Sequence, residues 1–142
     1  MSFQVDIREA ARSNEDFRRV LFTTERTQLV LMSVSPGEDI GLETHHLDQV
    51  LAFVEGTGEA LLNGVRSAIR PGDVFVVPAG TEHNFINTGT EALKLYTVYA
   101  PPEHPHGTVH VTKEDAERAE AMEQAEKVRE AGLTVGSLRH RP

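Results

Sequence analysis

The chain contains no cysteine, no apolar run approaching the roughly 18 residues of a membrane-spanning helix, and comparatively little positive charge. Without cysteine there is neither a disulfide nor a thiolate ligand, so any bound metal must sit on nitrogen and oxygen. The N-terminus lacks the basic-then-apolar layout of a secretory signal, which makes the cytoplasm the expected location. Fourteen Lys and Arg face 22 Asp and Glu, a net charge of −8. That balance argues against nucleic acid or an anionic membrane as partner. No repeat or low-complexity tract interrupts the 142 residues, which suffice for one domain with a real core.

What the chain does have is many short β-branched and aromatic runs bounded by turn residues. Gln28 to Val34 closes on Pro36-Gly37, and Val50 to Val54 closes on Glu55-Gly56-Thr57-Gly58. Glu59 to Leu62 and Val65 to Ile69 flank Asn63-Gly64, the strongest hairpin signal present. Val74 to Val77, His83 to Ile86 and Ala92 to Tyr99 follow. Strands at this spacing predict an all-β sandwich or barrel. The prolines at 101, 102 and 105 hold Ala100 to Gly107 extended. Thr112-Lys-Glu-Asp then predicts a capped helix to about Ala131, acidic at its start and basic at its end. Its apolar face is thin, which suggests a surface or partner-contacting helix. Ser13 to Phe17 reads as a helical turn or loop, and Thr134 to Pro142 as a loose tail.

The run Gly72 to Asn87 is the most specific stretch. Gly72 turns the chain after Pro71, Val74 to Val77 reads as a buried strand, and Pro78 and Gly80 force a turn that delivers His83 to the next strand. Upstream, Gly37 is followed at fixed spacings by Glu43, His45, Gln49 and Gly56. Glu43 and His45 are two apart, so on a strand they project from one face. His46-Leu47-Asp48 would connect to the next strand, with His46 and Glu82 in solvent.

These two segments resemble the paired motifs of the cupin superfamily. The second motif (Gly, five residues, Pro-x-Gly, two residues, His, three residues, Asn) is matched by Gly72, Pro78, Gly80, His83 and Asn87. The first is matched in every spacing, with Glu43 where its first His is usual and Gln49 where Glu is usual. Fifteen residues separate the motifs, as in compact microbial cupins. The resemblance implies a double-stranded β-helix, or jelly-roll barrel, with a C-terminal helix. It divides the chain into an N-terminal arm (1–24), the barrel (25–100), and an extended segment with helix and tail (101–142).

It also implies a divalent metal, iron, manganese, nickel, cobalt or zinc, held by Glu43, His45, Gln49 and His83. Two histidines and one carboxylate are the ligand type of non-haem Fe(II) oxygenases and of some zinc sites. A neutral Gln49 would leave the ion net positive and a better Lewis acid, or would hydrogen-bond a metal-bound water. Members of the superfamily include oxygenases, isomerases, epimerases, lyases, decarboxylases and metal-free binding modules; the flanks here look like small sugar-isomerase-like cupins. The expectation is a metal-dependent enzyme acting on a small oxygenated molecule such as a sugar, enediol or carboxylate. A binding or sensing module and a protein that kept the fold without the chemistry are the alternatives. A homodimer formed through edge strands is also implied. Phe53, Phe75, Phe85, Tyr96 and Tyr99 are expected in the core or pocket wall, and His104, His106 and His110 in a loop.

Overall fold

The computed structural model describes residues 1–132, so the tail expected at Thr134 to Pro142 lies outside the described residues. Helix α1 (Ile7–Ser13) is followed by β1 (Arg18–Thr23), β2 (Gln28–Val34), β3 (Asp48–Glu55), β4 (Gly58–Leu62), β5 (Val65–Ile69), β6 (Val74–Val77), β7 (His83–Ile86), β8 (Leu93–Ala100), β9 (Val109–His110) and α2 (Lys113–Glu130). All seven strands expected from β-branched runs are present, each within two residues of its predicted ends.

Three elements had no clear sequence signal. Helix α1 is a two-turn element capped by Asp6, whose carboxylate accepts from Glu9 N. Strand β1 opens on Arg18-Arg19, which reads as surface, yet Arg18 is buried. Strand β9 is a two-residue pairing against β1.

The strands form two sheets, in the orders β6-β3-β8-β2-β1-β9 and β5-β4-β7. The expected jelly-roll barrel is therefore overturned: the sheets are not closed into a barrel, and among the described residues no ladder joins an edge of one to an edge of the other. The change of sheet occurs at Gly56-Thr57-Gly58, between β3 and β4. Gly56 takes φ +87 there, and a β-carbon on it would lie 2.6 Å from Ala92 O. A β-carbon on Gly58 would lie 2.3 Å from Ile86 O. Only glycine lets the chain leave one sheet and enter the other at so close an approach. What joins the sheets is side-chain packing in place of hydrogen bonds. Phe53 of the large sheet meets Phe85 of the small one at 5.6 Å between ring centroids, and Phe75 meets Phe85 at 5.4 Å. Val30, Met32, Val34, Leu51, Ile69, Leu93 and Leu95 complete this shared core.

Turn chemistry acts as the sequence predicts. Asn63 (φ 48) and Gly64 (φ 81) both take left-handed backbone, and Leu62 pairs with Val65 across a two-residue loop. Helix α2 carries the full capping box: Thr112 accepts from Asp115 N, and Asp115 accepts from Thr112 N. Its outward face is polar, but it is not a free helix. Ala116 is buried, Lys113 pairs with Asp39, and Glu120 approaches Arg18 at 3.6 Å. The apolar stripe is thin because the stripe that faces the protein is partly acidic.

Candidate metal centre

The site is assembled where the irregular segment between β2 and β3 lies along β7. Glu43 and His83 form an isolated antiparallel bridge, with Glu43 N donating to His83 O and His83 N donating to Glu43 O, both at 2.9 Å. This fixes the two residues directly opposite each other. His45 follows two residues on, its carbonyl accepting from Gly80 N at 2.8 Å. The turn carrying Gly80 therefore both delivers His83 and ties down His45. Gly80 itself takes φ +87, with Thr81 N donating to Pro78 O, as a turn with glycine in third position requires. Asp48 buttresses the same turn by accepting from Ala79 N.

One donor atom from each of Glu43, His45 and His83 falls within 4.8 Å of the others. This two-histidine, one-carboxylate set is able to bind a divalent metal. The orientation of His83 suits that task. Its Nδ1–H donates to Thr81 O at 2.8 Å, so Nε2 is the ring nitrogen left free of this bond. His45 lies 5.2 Å from the His83 ring, with Nε2 2.7 Å from Glu43 Oε2 and Nδ1 3.2 Å from Glu103 Oε2. The hydrogen bonds to Glu103 and Glu43 raise the His45 imidazole to about 9. A positively charged ring between two carboxylates is what a metal-free form of such a site should contain.

Gln49, the neutral member of the expected ligand set, lies in β3. It opens β3 opposite Val77 and Tyr99, is 3 % exposed, and donates Nε2–H to Thr97 Oγ1 at 3.0 Å. Its Oε1 is buried with no partner. A buried amide oxygen left without a donor is costly unless something meets it, so it fits a metal or a metal-held water better than a finished core.

Several residues of the neighbourhood carry no motif. Glu43, Thr44 and His45 line a cavity of about 340 Å³ with Glu103 and His104 of the segment after β8, and Glu120 and Glu123 of α2. Tyr99 stands edge-on to His45 at 6.1 Å and to His104 at 5.3 Å. Arg18 lies behind this wall, with Nη1 bonded to His110 Nδ1 at 3.2 Å. Burial keeps the Tyr99 phenol protonated well above its ordinary range. Burial, reinforced by the Arg18 charge, pushes His104 down to about 3, so its ring is neutral. Burial and the Glu43 charge raise Glu120.

Of the three late histidines, His104 thus reaches the cavity, His110 pairs with Arg18, and His106 lies in a separate cleft with Phe22 and Glu25. A cleft of about 500 Å³ beside α1, lined by Arg8, Arg12, Asp73 and Tyr96 among others, shares no residue with the metal centre. Glu103, Glu120 and Glu123 add three acidic side chains to the wall around the expected ligands. The ion's own ligands leave it positive, but the wall beyond them is negative.

Comparison with known proteins agrees with this geometry. The profile of the family described as Cupin domain matches residues 30–99. The uncharacterized protein YrkC of Bacillus subtilis (strain 168) is 46 % identical over 125 residues, covering 83 % of this chain and 67 % of YrkC. The uncharacterized protein L612 of Acanthamoeba polyphaga mimivirus is 40 % identical over 116 residues, covering 78 % of this chain and 72 % of L612. The crystal structure of BH2720 from Bacillus halodurans superposes with a TM-score of 0.82 at 45 % identity, covering 83 % of this chain and 95 % of that one. No helix among the described residues is long and apolar enough to cross a membrane.

Proposed function

We infer the function from one premise: this chain belongs to the cupin superfamily, and the two motifs of that superfamily meet in it at a metal-competent site. The reading is a metal-dependent enzyme acting on a small oxygenated molecule in the 340 Å³ cavity. The observation that carries it is the convergence of Glu43, His45 and His83 donor atoms within 4.8 Å, two of them from residues that line that cavity. Gln49 Oε1 is proposed as a fourth ligand, or as acceptor from a metal-held water, because it is buried and otherwise unmatched. A divalent ion held there would polarise a substrate oxygen as a Lewis acid.

The chain's own groups favour a particular kind of guest. Glu103, Glu120 and Glu123 offer acceptors to hydroxyl groups and repel a polyanion. His104 stays neutral with Nε2 unmatched, so it can hydrogen-bond a substrate without adding charge. A neutral polyhydroxylated or enediol-like molecule suits this wall better than a dicarboxylate. Glu120, raised and on the cavity wall, is placed to exchange a proton with such a guest.

The test is elemental analysis of tag-free protein by inductively coupled plasma mass spectrometry. Near-stoichiometric iron, manganese, nickel, cobalt or zinc is expected. Protein that is empty and cannot be loaded with any of the five would remove the enzyme reading and leave a metal-free binding module. A homodimer is also proposed, supported by Val74 and Val76, which are 59 % and 64 % exposed on the edge strand β6. Sedimentation is expected to give about twice 15.7 kDa; a clean species at 15.7 kDa would exclude it.

A further inference from the structure

Both histidines of the centre need one ring nitrogen held so that the other faces the metal. In His83 a backbone carbonyl does this, Thr81 O accepting from Nδ1–H. In His45 no backbone group is in place; the partner of Nδ1 is the carboxylate of Glu103, 3.2 Å away, in the chain that follows β8 and outside both motifs. A histidine whose second nitrogen is bound to a carboxylate is fixed in tautomer and in ring orientation, and becomes a more basic ligand.

A half-exposed glutamate is by itself a poor instrument for fixing anything, since a free side chain pairs weakly in water. Glu103 is different because its backbone is clamped. Gln28, at the start of β2 and 0 % exposed, spends its whole amide on this segment and its neighbour. Gln28 Oε1 accepts from Glu103 N at 3.2 Å and from His104 N at 3.0 Å. Its Nε2 donates to His104 O at 2.7 Å and to Thr23 Oγ1 at 2.9 Å. A buried amide is tolerated only when its polar atoms are matched, and here nearly all the matching comes from two successive residues of an otherwise irregular segment. His104, edge-on to Tyr99 at 5.3 Å, steadies the same segment from the site side.

We propose that Glu103 is the positioning residue that sets His45 for metal binding, and that Gln28 acts through Glu103 by anchoring its backbone. The proposal rests on the metal-dependent reading of the site. It makes the segment after β8 part of the metal centre, although that segment supplies no ligand.

The test measures Co²⁺ and Zn²⁺ affinity by competition titration for the wild type, Glu103→Ala, Glu103→Gln, Gln28→Met and the Gln28→Met/Glu103→Ala double variant, with His83→Ala as control. Long-range ¹H–¹⁵N spectra of the Zn²⁺-loaded proteins report the His45 tautomer. Glu103→Ala is expected to weaken both metals by about 10- to 100-fold and to release His45 from a single Nδ1–H tautomer. Glu103→Gln, which keeps an acceptor for Nδ1–H, should recover most of the loss. Gln28→Met should weaken binding without touching the site, and the double variant should be no worse than Glu103→Ala alone, because the two changes act on one coupling.

The idea is overturned if Glu103→Ala binds within about twofold of wild type with the His45 tautomer unchanged while His83→Ala has lost the metal. Additive losses in the double variant would overturn the role of Gln28. A wild type that takes up neither metal removes the underlying metal reading and the proposal with it. Glu103 is at the surface of the fold, so its variants decide the matter even where Gln28→Met folds poorly.

Discussion

Replacing His83 with alanine reduces the divalent metal content of the purified protein from near-stoichiometric to background while leaving the β-sheet circular dichroism in place. The first half follows from the donor count. Glu43, His45 and His83 are the metal-competent group among the described residues, and losing one of the two histidines leaves a histidine and a carboxylate that already satisfy each other at 2.7 Å. Nothing then remains to compete with that internal pair.

The second half follows from the backbone. His83 pairs with Leu62 across β4 and β7, and with Glu43 through two main-chain hydrogen bonds, none of which involves its ring. The substitution removes one side-chain hydrogen bond, to Thr81 O, and opens a small void over Phe85, whose ring lies 6.1 Å from that of His83. A loss of about 1–3 kcal/mol is expected from the unmatched carbonyl. Unchanged metal content in folded His83→Ala protein would remove His83 from the metal centre. A collapse of the β-sheet signal would instead show that the ring holds the fold.

The contrast between what the sequence discloses and what it hides is physical. Strands and turns are written locally: Asn63-Gly64 needs two left-handed residues, Thr112 and Asp115 need only each other, and alternating or β-branched runs mark β2 to β8. The metal-competent residues are also legible, because each lies at a fixed distance from a turn that the backbone must make. Closure of a barrel is not local. It depends on whether distant edges hydrogen-bond, and here the approach of Gly56 and Gly58 to Ala92 and Ile86 leaves two sheets packed through Phe53, Phe75 and Phe85.

The remainder of the cavity wall is hidden for the same reason. Glu103 sits among prolines, Glu120 and Glu123 sit on a helix that reads as surface or partner-contacting, and Arg18, behind the wall, opens a strand with a second arginine. Their roles arise from contacts 58 to 102 residues away, such as Glu103 with His45, Arg18 with His110 and Arg18 with Glu120. One sign was available in the spacing of α2. Ala116, Glu120 and Glu123 fall at intervals of four and three, so the side of the helix that carries its buried alanine also carries two carboxylates.

In the metal-free protein, two histidines of one cavity should give a stability maximum near pH 6.5, falling on both sides. His45 is raised to about 9 by its hydrogen bonds to Glu103 and Glu43. Between pH 6.5 and 9 the folded chain holds this proton and the unfolded chain does not, so its contribution is complete below 6.5 and is lost as pH rises. His104 is pushed down to about 3 by burial and by Arg18. Between pH 3 and 6.5 the unfolded chain holds that proton and the folded one does not, so stability is lost as pH falls. Each limb has a limiting slope of about 1.4 kcal/mol per pH unit, reduced for His45 because water reaches its partners.

Urea titrations of chelator-treated protein from pH 5 to 9 resolve the two limbs away from most carboxylate titration. His45→Gln should flatten the alkaline limb and His104→Gln the acid one, each leaving the other in place. An alkaline limb that persists in His45→Gln would mean that the proton sits elsewhere. A bound divalent metal should also abolish the alkaline limb, since a metal ligand must be unprotonated at the donating nitrogen and the ion replaces the proton between Glu43 and His45. Metal affinity should accordingly tighten as pH rises toward 9, opposite in sign to the stability of the metal-free fold. Those opposed slopes would mark one imidazole that serves as a structural cation without metal and as a ligand with it.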